Sequence, residues 1–195
     1  MPEILLEWDR DLLLFLNSLH APWLDQVMYW ISEKEIWIPF YVLIIGLIIR
    51  EYKWKSIIYI TGIILAIAAT DQLCSGFMKP FFERFRPSRD PSLEGLVHIV
   101  NDYRGGKYGF ASSHAGNTFA LATFLFLTFK KRFKLISWMF LWAAVVSYSR
   151  IYLGVHYPGD ILVGGLIGVG FGFIFYRFTQ LYFTKFTEHF KKSND

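Results

Sequence analysis

Five long runs of residues that lack Asp, Glu, Lys and Arg limit the possible folds of this chain more than any other feature. They cover residues 37–49, 56–70, 110–129, 135–149 and 161–176. About 20 apolar residues are needed to cross the hydrocarbon core of a membrane, and the runs approach this length with their flanks, the first by extending back toward Lys34. A spanning segment must satisfy its own backbone hydrogen bonds. We therefore expect an all-α integral membrane bundle of about five transmembrane helices.

Residues 1–34 follow a different pattern. The apolar stretch at residues 4–19 is interrupted by Glu7, Asp9, Arg10 and Asp11, and apolar side chains recur at helical spacing after Pro22. Two short amphipathic helices lying in the membrane interface fit this pattern, with a sixth, buried span as the alternative. We accordingly divide the chain into an N-terminal part at residues 1–34, a transmembrane domain at residues 35–184 and a basic tail at residues 185–195.

Short basic segments indicate the orientation of the chain. With five spans, three of these segments lie on one side of the membrane, and the positive-inside rule makes that side cytoplasmic. They contain Arg50, Lys53, Lys55, Lys130, Lys131, Arg132, Lys134, Lys185, Lys191 and Lys192. Residues 79–109 then lie outside and are also basic, which we interpret as serving an anionic substrate. This predicts a multi-pass protein of the inner (plasma) membrane whose active site faces the periplasm or the outside.

Four short strings place cations, imidazoles and a carboxylate at the ends of the apolar runs. Arginine and lysine are the usual ligands of phosphate, and a helix N-terminus that begins with serines also binds anions. A carboxylate four residues after a histidine, which we expect to be one helical turn away, can accept its Nδ1–H and leave Nε2 free to attack phosphorus. The strings contain Lys79 with Arg86-Pro87, Ser112-Ser113-His114, Ser149-Arg150, and His156 with Asp160.

These strings resemble the signature of the type 2 phosphatidic acid phosphatase (PAP2) superfamily, in its order and spacing. The signature reads Lys-x6-Arg-Pro, then Pro-Ser-Gly-His, then Ser-Arg-x5-His-x3-Asp, and here it spans residues 79–160. The resemblance implies a phosphohistidine enzyme that needs no cofactor and no metal. It makes His156 the nucleophile, His114 the acid and later base, and Asp160 the residue that orients His156. Phosphate is then held by Lys79, Arg86, Ser112, Ser113 and Arg150.

The chain departs from the family signature at two positions. Ala111 stands in place of proline and Ser113 in place of glycine. Ser112 and Ser113 are predicted to cap the helix that follows. Backbone N–H groups survive both changes, but Ser113 adds a side chain where the backbone approaches the phosphate. The shape of the pocket at Ser113 therefore stays open.

Several other polar and small residues have two interpretations. We interpret Arg84 and Arg89 as interfacial cations that reach toward lipid headgroups. Asp71 lies at membrane depth and is either functional or a structural polar contact. Gly164, Gly168 and Gly172 form a small-residue stripe that we expect to pack against other spans of the chain, with a homodimer as the alternative.

We expect a phosphatase of a lipid phosphate or pyrophosphate in the cell envelope, and no nucleic-acid partner. Undecaprenyl pyrophosphate is our first choice of substrate, and lipid A phosphate or phosphatidylglycerol phosphate is the alternative. A lipid phosphotransferase would use the same residues with a different acceptor. A lipid transporter or scaffold would not need the acid, nucleophile and orienting carboxylate together.

Overall fold

The computed structural model describes the backbone of residues 3–192 and the side chains of residues 3–184. This part of the chain contains eight α-helices and one isolated β-bridge, between Phe85 and Tyr108. The helices are α1 (Glu3–Ser18), α2 (Pro22–Ser32), α3 (Ile38–Tyr52), α4 (Ser56–Asp71), α5 (Lys79–Phe82), α6 (Ser113–Phe129), α7 (Trp138–Tyr152) and α8 (Pro158–Lys192). The all-α prediction is confirmed. The whole basic tail predicted at residues 185–195 lies outside the described side chains.

The segment from α3 to α5 is helical almost throughout, but the direction of the chain reverses at Lys53. Lys53 has a φ of 51°, and its N–H donates to the carbonyl of Ile49, which ends α3. A π-helical segment, Gln72–Met78, then joins α4 to α5. The whole stretch Glu35–Phe82 has 48 residues. Since an α-helix rises 1.5 Å per residue, this is more than twice the length that one crossing needs.

Three stretches of the described chain are long and apolar enough to span a membrane: Glu35–Phe82, Lys134–Tyr152 and Pro158–Thr184. The first contains both α3 and α4. Helix α6 has 17 residues and lies at the centre of the bundle, where Ala115, Ala120 and Phe124 are fully buried. These helices match the five predicted spans in position, while the number of crossings stays a prediction.

The predicted glycine stripe packs α8 against α6. A methyl group added at Gly164, Gly168 or Gly172 would collide with the backbone of Ser112, Gly116 or Ala120, respectively. The two helix backbones therefore approach each other as closely as glycine permits. The stripe is used inside the chain, as the sequence suggested.

The first two helices form as predicted and pack at the end of the bundle that carries the loop at residues 83–112. Leu13 and Asn17 of α1 are buried. The Asn17 amide donates to the carbonyls of Tyr152 and Ile151, and its Oδ1 accepts from the N–H of His98. It thereby satisfies carbonyls that the C-terminus of α7 leaves without helical partners. Placement of α1 and α2 in the membrane interface stays a prediction.

Candidate active site

The eight predicted site residues come from five parts of the chain and meet where α5, α6, α7 and α8 begin or end. Lys79 Nζ lies 3.4 Å from Ser113 Oγ, and Arg86 Nη1 lies 3.3 Å from His156 Nε2. The N–H of Ser112 donates to the carbonyl of Asp160 at 3.0 Å. The N–H groups of Val155 and His156 donate to the carbonyl of Arg150. His114, on the first turn of α6, is within electrostatic reach of His156 and Arg150.

His156 and Asp160 form a buried pair. Nδ1 of His156 lies 3.2 Å from Oδ2 of Asp160, and the two side chains are 1% and 0% exposed. His156 precedes α8 and does not share a helical turn with Asp160, contrary to the spacing argument. Asp160 is instead the third residue of α8, and its Oδ2 also accepts the N–H of Tyr157 at 3.1 Å. This is the capping pattern of a helix that begins with Pro158.

Arg86 determines which nitrogen of His156 carries the proton. Since a guanidinium has no acceptor, Nε2 must accept from Arg86, and the proton then belongs on Nδ1, facing Asp160. Burial, together with the positive charges of Arg86 and Arg150, holds the pKa of His156 well below its ordinary value. The ring is therefore neutral at neutral pH, with the Nε2 lone pair pointing toward the cations.

Three cations, the buried Arg86 and Arg150 and the half-buried Lys79, act electrostatically on His156, and none of them has a carboxylate partner among the described residues. Within residues 3–184, no Asp or Glu forms an ion pair with Lys79, Arg86 or Arg150. Burial, followed by the charge of Arg150, lowers the pKa of Arg86 to about 10. Buried charge of one sign is costly unless an opposite charge arrives. The arrangement is suited to an anion with several oxygen atoms, such as a phosphoryl group.

The N-terminus of α6 completes the anion site. Ser112 Oγ accepts the N–H of Ala115 at 3.4 Å, so Ser112 is the predicted N-cap. Ser113, which stands where the family signature has glycine, accepts from Lys79 Nζ. Lys79 also donates to Ser75 Oγ at 2.9 Å. The extra hydroxyl of Ser113 therefore helps to hold the lysine that faces the site.

Ser32 and Tyr103, which the sequence analysis did not identify, hold Arg150 in place. Arg150 Nη1 donates to Ser32 Oγ at the end of α2, and Nη2 donates to the Tyr103 hydroxyl at 3.1 Å. Both partners are far from Arg150 in sequence. No local pattern marks them, because a single serine or tyrosine near a helix end is common.

The interpretation of Arg84 as a lipid-facing cation is wrong. Its Nη1 lies 3.0 Å from Asp160 Oδ1, and its Nη2 lies 2.8 Å from Asp9 Oδ2. The guanidinium also stacks on the ring of Tyr157, with its central carbon 3.8 Å from the ring centroid. The two carboxylates hold the side chain inside the protein. No local sequence pattern indicates the contact between Arg84 and Asp160, because the two residues are 76 positions apart.

Asp71 lies one contact away from the site. Its Oδ1 is 3.5 Å from Ser75 Oγ and 3.4 Å from Asn117 Nδ2, and Ser75 in turn contacts Lys79. It also lines the cavity described next. These contacts fit the structural interpretation of Asp71 and leave a functional one open.

An apolar cavity of about 360 Å³ extends from the site into the bundle between α3, α4, α6 and α7. Ser113, His114 and Asn117 line it at the site end, and most of the rest of its wall is aliphatic or aromatic. Ile44, Ile67, Leu121, Trp142 and Val146 are typical of this wall. A ligand with a charged end and a hydrocarbon end would match the site and the cavity together.

Comparison with known proteins gives consistent results. The sequence model of the PAP2 superfamily matches residues 40–183. The chain is 43% identical to a lipid A 4'-phosphatase of Bacteroides thetaiotaomicron over 90% of this chain and 79% of that protein. It is 40% identical to a lipid A 4'-phosphatase of Porphyromonas gingivalis over 90% of this chain and 74% of that protein. The crystal structure of a PAP2-type phosphatidylglycerolphosphate phosphatase from Bacillus subtilis superposes with a TM-score of 0.67 at 25% identity, covering 91% of this chain and 87% of that one.

Proposed function

The chain belongs to the PAP2 superfamily and is a membrane lipid phosphatase, and from this premise we propose that it removes the 4'-phosphate of lipid A. The observation that carries the proposal is the 43% and 40% identity, over 90% of the chain, to two proteins with that activity in their names. Undecaprenyl pyrophosphate, the first choice from sequence, is less well supported. Phosphatidylglycerol phosphate remains the second candidate because of the structural similarity to a phosphatase of that lipid.

In the proposed reaction, His156 is the nucleophile. Nε2 attacks phosphorus while the bond between phosphorus and the leaving sugar oxygen breaks, and a phosphohistidine forms. The ring becomes positively charged in this step, and Asp160, 3.2 Å from Nδ1, stabilises that charge. The low pKa of His156 in the empty site keeps Nε2 unprotonated until the phosphate arrives.

The cations and His114 perform the remaining steps. Lys79, Arg86, Arg150 and the Ser112–Ser113 turn hold the three non-bridging oxygens, over which the charge of the transferred group is spread in the transition state. His114, in its protonated form, gives a proton to the leaving oxygen, and the neutral ring then takes a proton from the water that hydrolyses the phosphohistidine. Both histidines return to their starting state when inorganic phosphate leaves.

The cavity offers a binding place for the hydrophobic part of a lipid substrate. A phosphate at the cations places the hydrophobic end of the same molecule against the wall formed by α3, α4 and α7. A hydrocarbon chain that moves from the bilayer into this cavity stays out of water, so the wall contributes by packing against the chain and by placing the attached phosphate at the cations. This favours lipid phosphates over soluble phosphate esters.

The proposed site uses cations of the protein where other phosphatases use metal ions. Activity is therefore expected to survive excess EDTA, and vanadate is expected to inhibit because its trigonal bipyramid resembles the transition state. Loss of activity on chelation that Mg²⁺ restores would refute the metal-independent mechanism.

We further propose that the protein lies in the inner membrane with the site facing outward. Ser92 is exposed in the loop at residues 83–112, and Arg132 is exposed in the loop between α6 and α7. In a Cys74→Ser background, a cysteine at position 92 is expected to react with a membrane-impermeant thiol reagent on intact cells. A cysteine at position 132 is expected to react only after permeabilisation, and the opposite pattern would reverse the orientation.

The substrate is tested with purified protein in detergent. Phosphate release is measured from lipid A, undecaprenyl pyrophosphate, phosphatidylglycerol phosphate and phosphatidate, with His156→Ala as the control for contaminating phosphatases. We expect the highest kcat/KM on lipid A, with mass spectrometry showing loss of the 4'-phosphate. Equal or higher kcat/KM on another lipid would reject the lipid A proposal. A phosphorylated acceptor lipid in place of free phosphate would indicate a phosphotransferase.

A further inference from the structure

Arg84 connects the carboxylate behind His156 to the first helix of the protein. One side of its guanidinium contacts Asp160 Oδ1 at 3.0 Å, and the other contacts Asp9 Oδ2 at 2.8 Å. Asp160 is fully buried, and the Arg84 and Asp9 side chains are only 15% and 13% exposed. The family signature assigns no role to Arg84, and Asp9 lies outside the matched residues 40–183.

We propose that Arg84 is a positioning residue for His156, acting through Asp160, and that Asp9 of α1 holds Arg84 in the orientation this requires. The proposal rests on the proposed roles of His156 and Asp160. It adds α1 to the parts of the chain on which phosphoryl transfer depends.

The two oxygens of Asp160 have separate partners, and this is the basis of the proposal. Oδ2 accepts from His156 Nδ1 at 3.2 Å and from the Tyr157 N–H at 3.1 Å, while Oδ1 accepts from Arg84 Nη1. A carboxylate held at one oxygen only can rotate about its Cβ–Cγ bond and turn Oδ2 away from the ring. Contact at both oxygens fixes the plane of the carboxylate and, through it, the direction of Nε2.

Asp9 fixes the other side of Arg84. Its Oδ1 accepts the N–H of Gly159 at 2.6 Å while its Oδ2 contacts Arg84. Gly159 lies in the first turn of α8, where free N–H groups and the helix dipole favour a negative charge. A side chain at Gly159 would occupy the space that the Asp9 carboxylate fills. Asp9 is therefore anchored independently of Arg84 and provides a fixed point for the guanidinium.

Both hydrogen bonds require the fork of an arginine. The two terminal nitrogens, Nη1 and Nη2, lie in one rigid plane and reach two carboxylates at once, and a face of that plane stacks on the Tyr157 ring. A lysine at this position keeps the charge but offers a single nitrogen. Arg84→Lys thus separates the effect of geometry from the effect of charge.

The first test compares steady-state kinetics of Arg84→Lys, Arg84→Gln and Asp9→Asn with those of Asp11→Asn. Asp11 is an exposed carboxylate on the same helix, so its substitution removes the same charge from the same element. We expect kcat to fall about tenfold or more in both Arg84 variants and several-fold in Asp9→Asn, with KM within twofold of the wild type. Asp11→Asn is expected to match the wild type. Wild-type kcat in Arg84→Lys and Arg84→Gln, or a change in KM alone, would overturn the proposal.

The second test needs no turnover and therefore separates this proposal from the proposed function. The His156 side-chain nitrogens are observed by NMR in ¹⁵N-histidine-labelled protein in detergent without substrate and assigned from their absence in His156→Gln. We expect the Nδ1 resonance to move in Arg84→Gln and Asp9→Asn, but not in Asp11→Asn, while the signals of His20 stay in place. An Nδ1 resonance that is unchanged in both variants would overturn the positioning role. Wild-type protein that releases no phosphate from any lipid would instead reject the proposed function.

Discussion

The two sides of α6 differ sharply in how closely they are packed. Toward α8, Ser112, Gly116 and Ala120 contact the glycine stripe so closely that a single added carbon would meet backbone atoms. Toward α3 and α4, the same helix borders a cavity of about 360 Å³. Both sides begin at the same turn, which carries Ser113 and His114.

We relate this difference to two tasks of the protein: the closely packed side positions the residues of phosphoryl transfer, and the open side provides room to bind the lipid chain. The closely packed side fixes α8 relative to α6, and with it Asp160, whose carbonyl accepts the N–H of Ser112. Phosphoryl transfer depends on such positioning. The open side has few polar groups and leaves space, which suits a flexible hydrocarbon chain. Substitutions on the two sides should therefore have different kinetic effects.

The largest effect is expected for His156→Ala. Because the variant lacks the proposed attacking nitrogen while His114 is needed for proton transfer, we expect phosphate release to fall by several powers of ten. The elution of the protein in gel filtration should not change. His20→Ala, an exposed histidine at the same end of the bundle, serves as the control and is expected to retain activity within about twofold. Wild-type-like phosphate release by pure His156→Ala would reject the nucleophile assignment.

A smaller loss is expected for Asp160→Asn, about one to two powers of ten in kcat, since the amide can still orient the ring but carries no charge. The variant also changes the pH dependence. Attack requires neutral His156, so the acidic limb of kcat/KM reports the pKa of His156. Asp160 favours the charged ring, so its neutralisation lowers that pKa and moves the acidic limb to lower pH.

The pH profile is measured as kcat/KM on one lipid over the range in which the protein stays folded. Wild-type protein is already expected to have its acidic limb below neutrality, because burial and the charges of Arg86 and Arg150 lower the pKa of His156. An acidic limb that stays fixed in Asp160→Asn would mean that Asp160 is not the partner of the titrating group.

Gly168→Ala tests the closely packed side through stability. The added methyl group collides with the carbonyl of Gly116, so one backbone must move, at a cost of about 1–3 kcal/mol. Gly170, two residues away on α8, has no atoms within 4 Å of an added methyl group. Gly170→Ala should therefore leave the melting temperature in detergent unchanged or raise it slightly. Equal melting temperatures for the two variants would contradict close contact between α6 and α8.

The smallest effect is expected on the open side. Val146 is buried and lines the cavity, so Val146→Phe fills part of the space proposed for the lipid chain. We expect KM for a long-chain lipid phosphate to rise several-fold with little change in kcat, and no change for a short, soluble phosphate ester. Val145→Phe, on the half-exposed neighbouring position, is the control. An equal effect of Val146→Phe on both substrates would argue against the cavity as the chain-binding region.

The sequence was sufficient to predict the helices and most members of the group of residues that forms the candidate site, because both depend on local patterns. Apolar runs mark the helices, Ser112 marks the start of α6, and Gly164, Gly168 and Gly172 recur at a spacing that only one face of a helix produces. The grouping of His156 with Asp160 was predicted correctly, but for the wrong local reason. A capping interaction at the start of α8, and not a shared helical turn, brings them together.

The contacts that fix the site in space could not be predicted from the sequence. Arg84 resembles any interfacial arginine until its two carboxylate partners are known, and these lie on α1 and α8. A turn between the first two spans was predicted, but the conformation of Lys53 that makes it was beyond local inference, because lysine rarely adopts a φ of 51°. Such contacts depend on how helices that are distant in sequence pack, and no pattern within one helix records that packing.

The bond between Asp9 and Gly159 has a consequence for synthesis of the protein. The two residues are 150 positions apart. At about 5–20 residues per second, the ribosome needs roughly 8 to 30 s to make the chain between them. For most of that interval Asp9 and Asn17 have none of their partners on α7 and α8. The nascent chain therefore has no complete site until its last helix emerges, so a chain truncated before that helix would be inactive even when its earlier spans are correctly inserted.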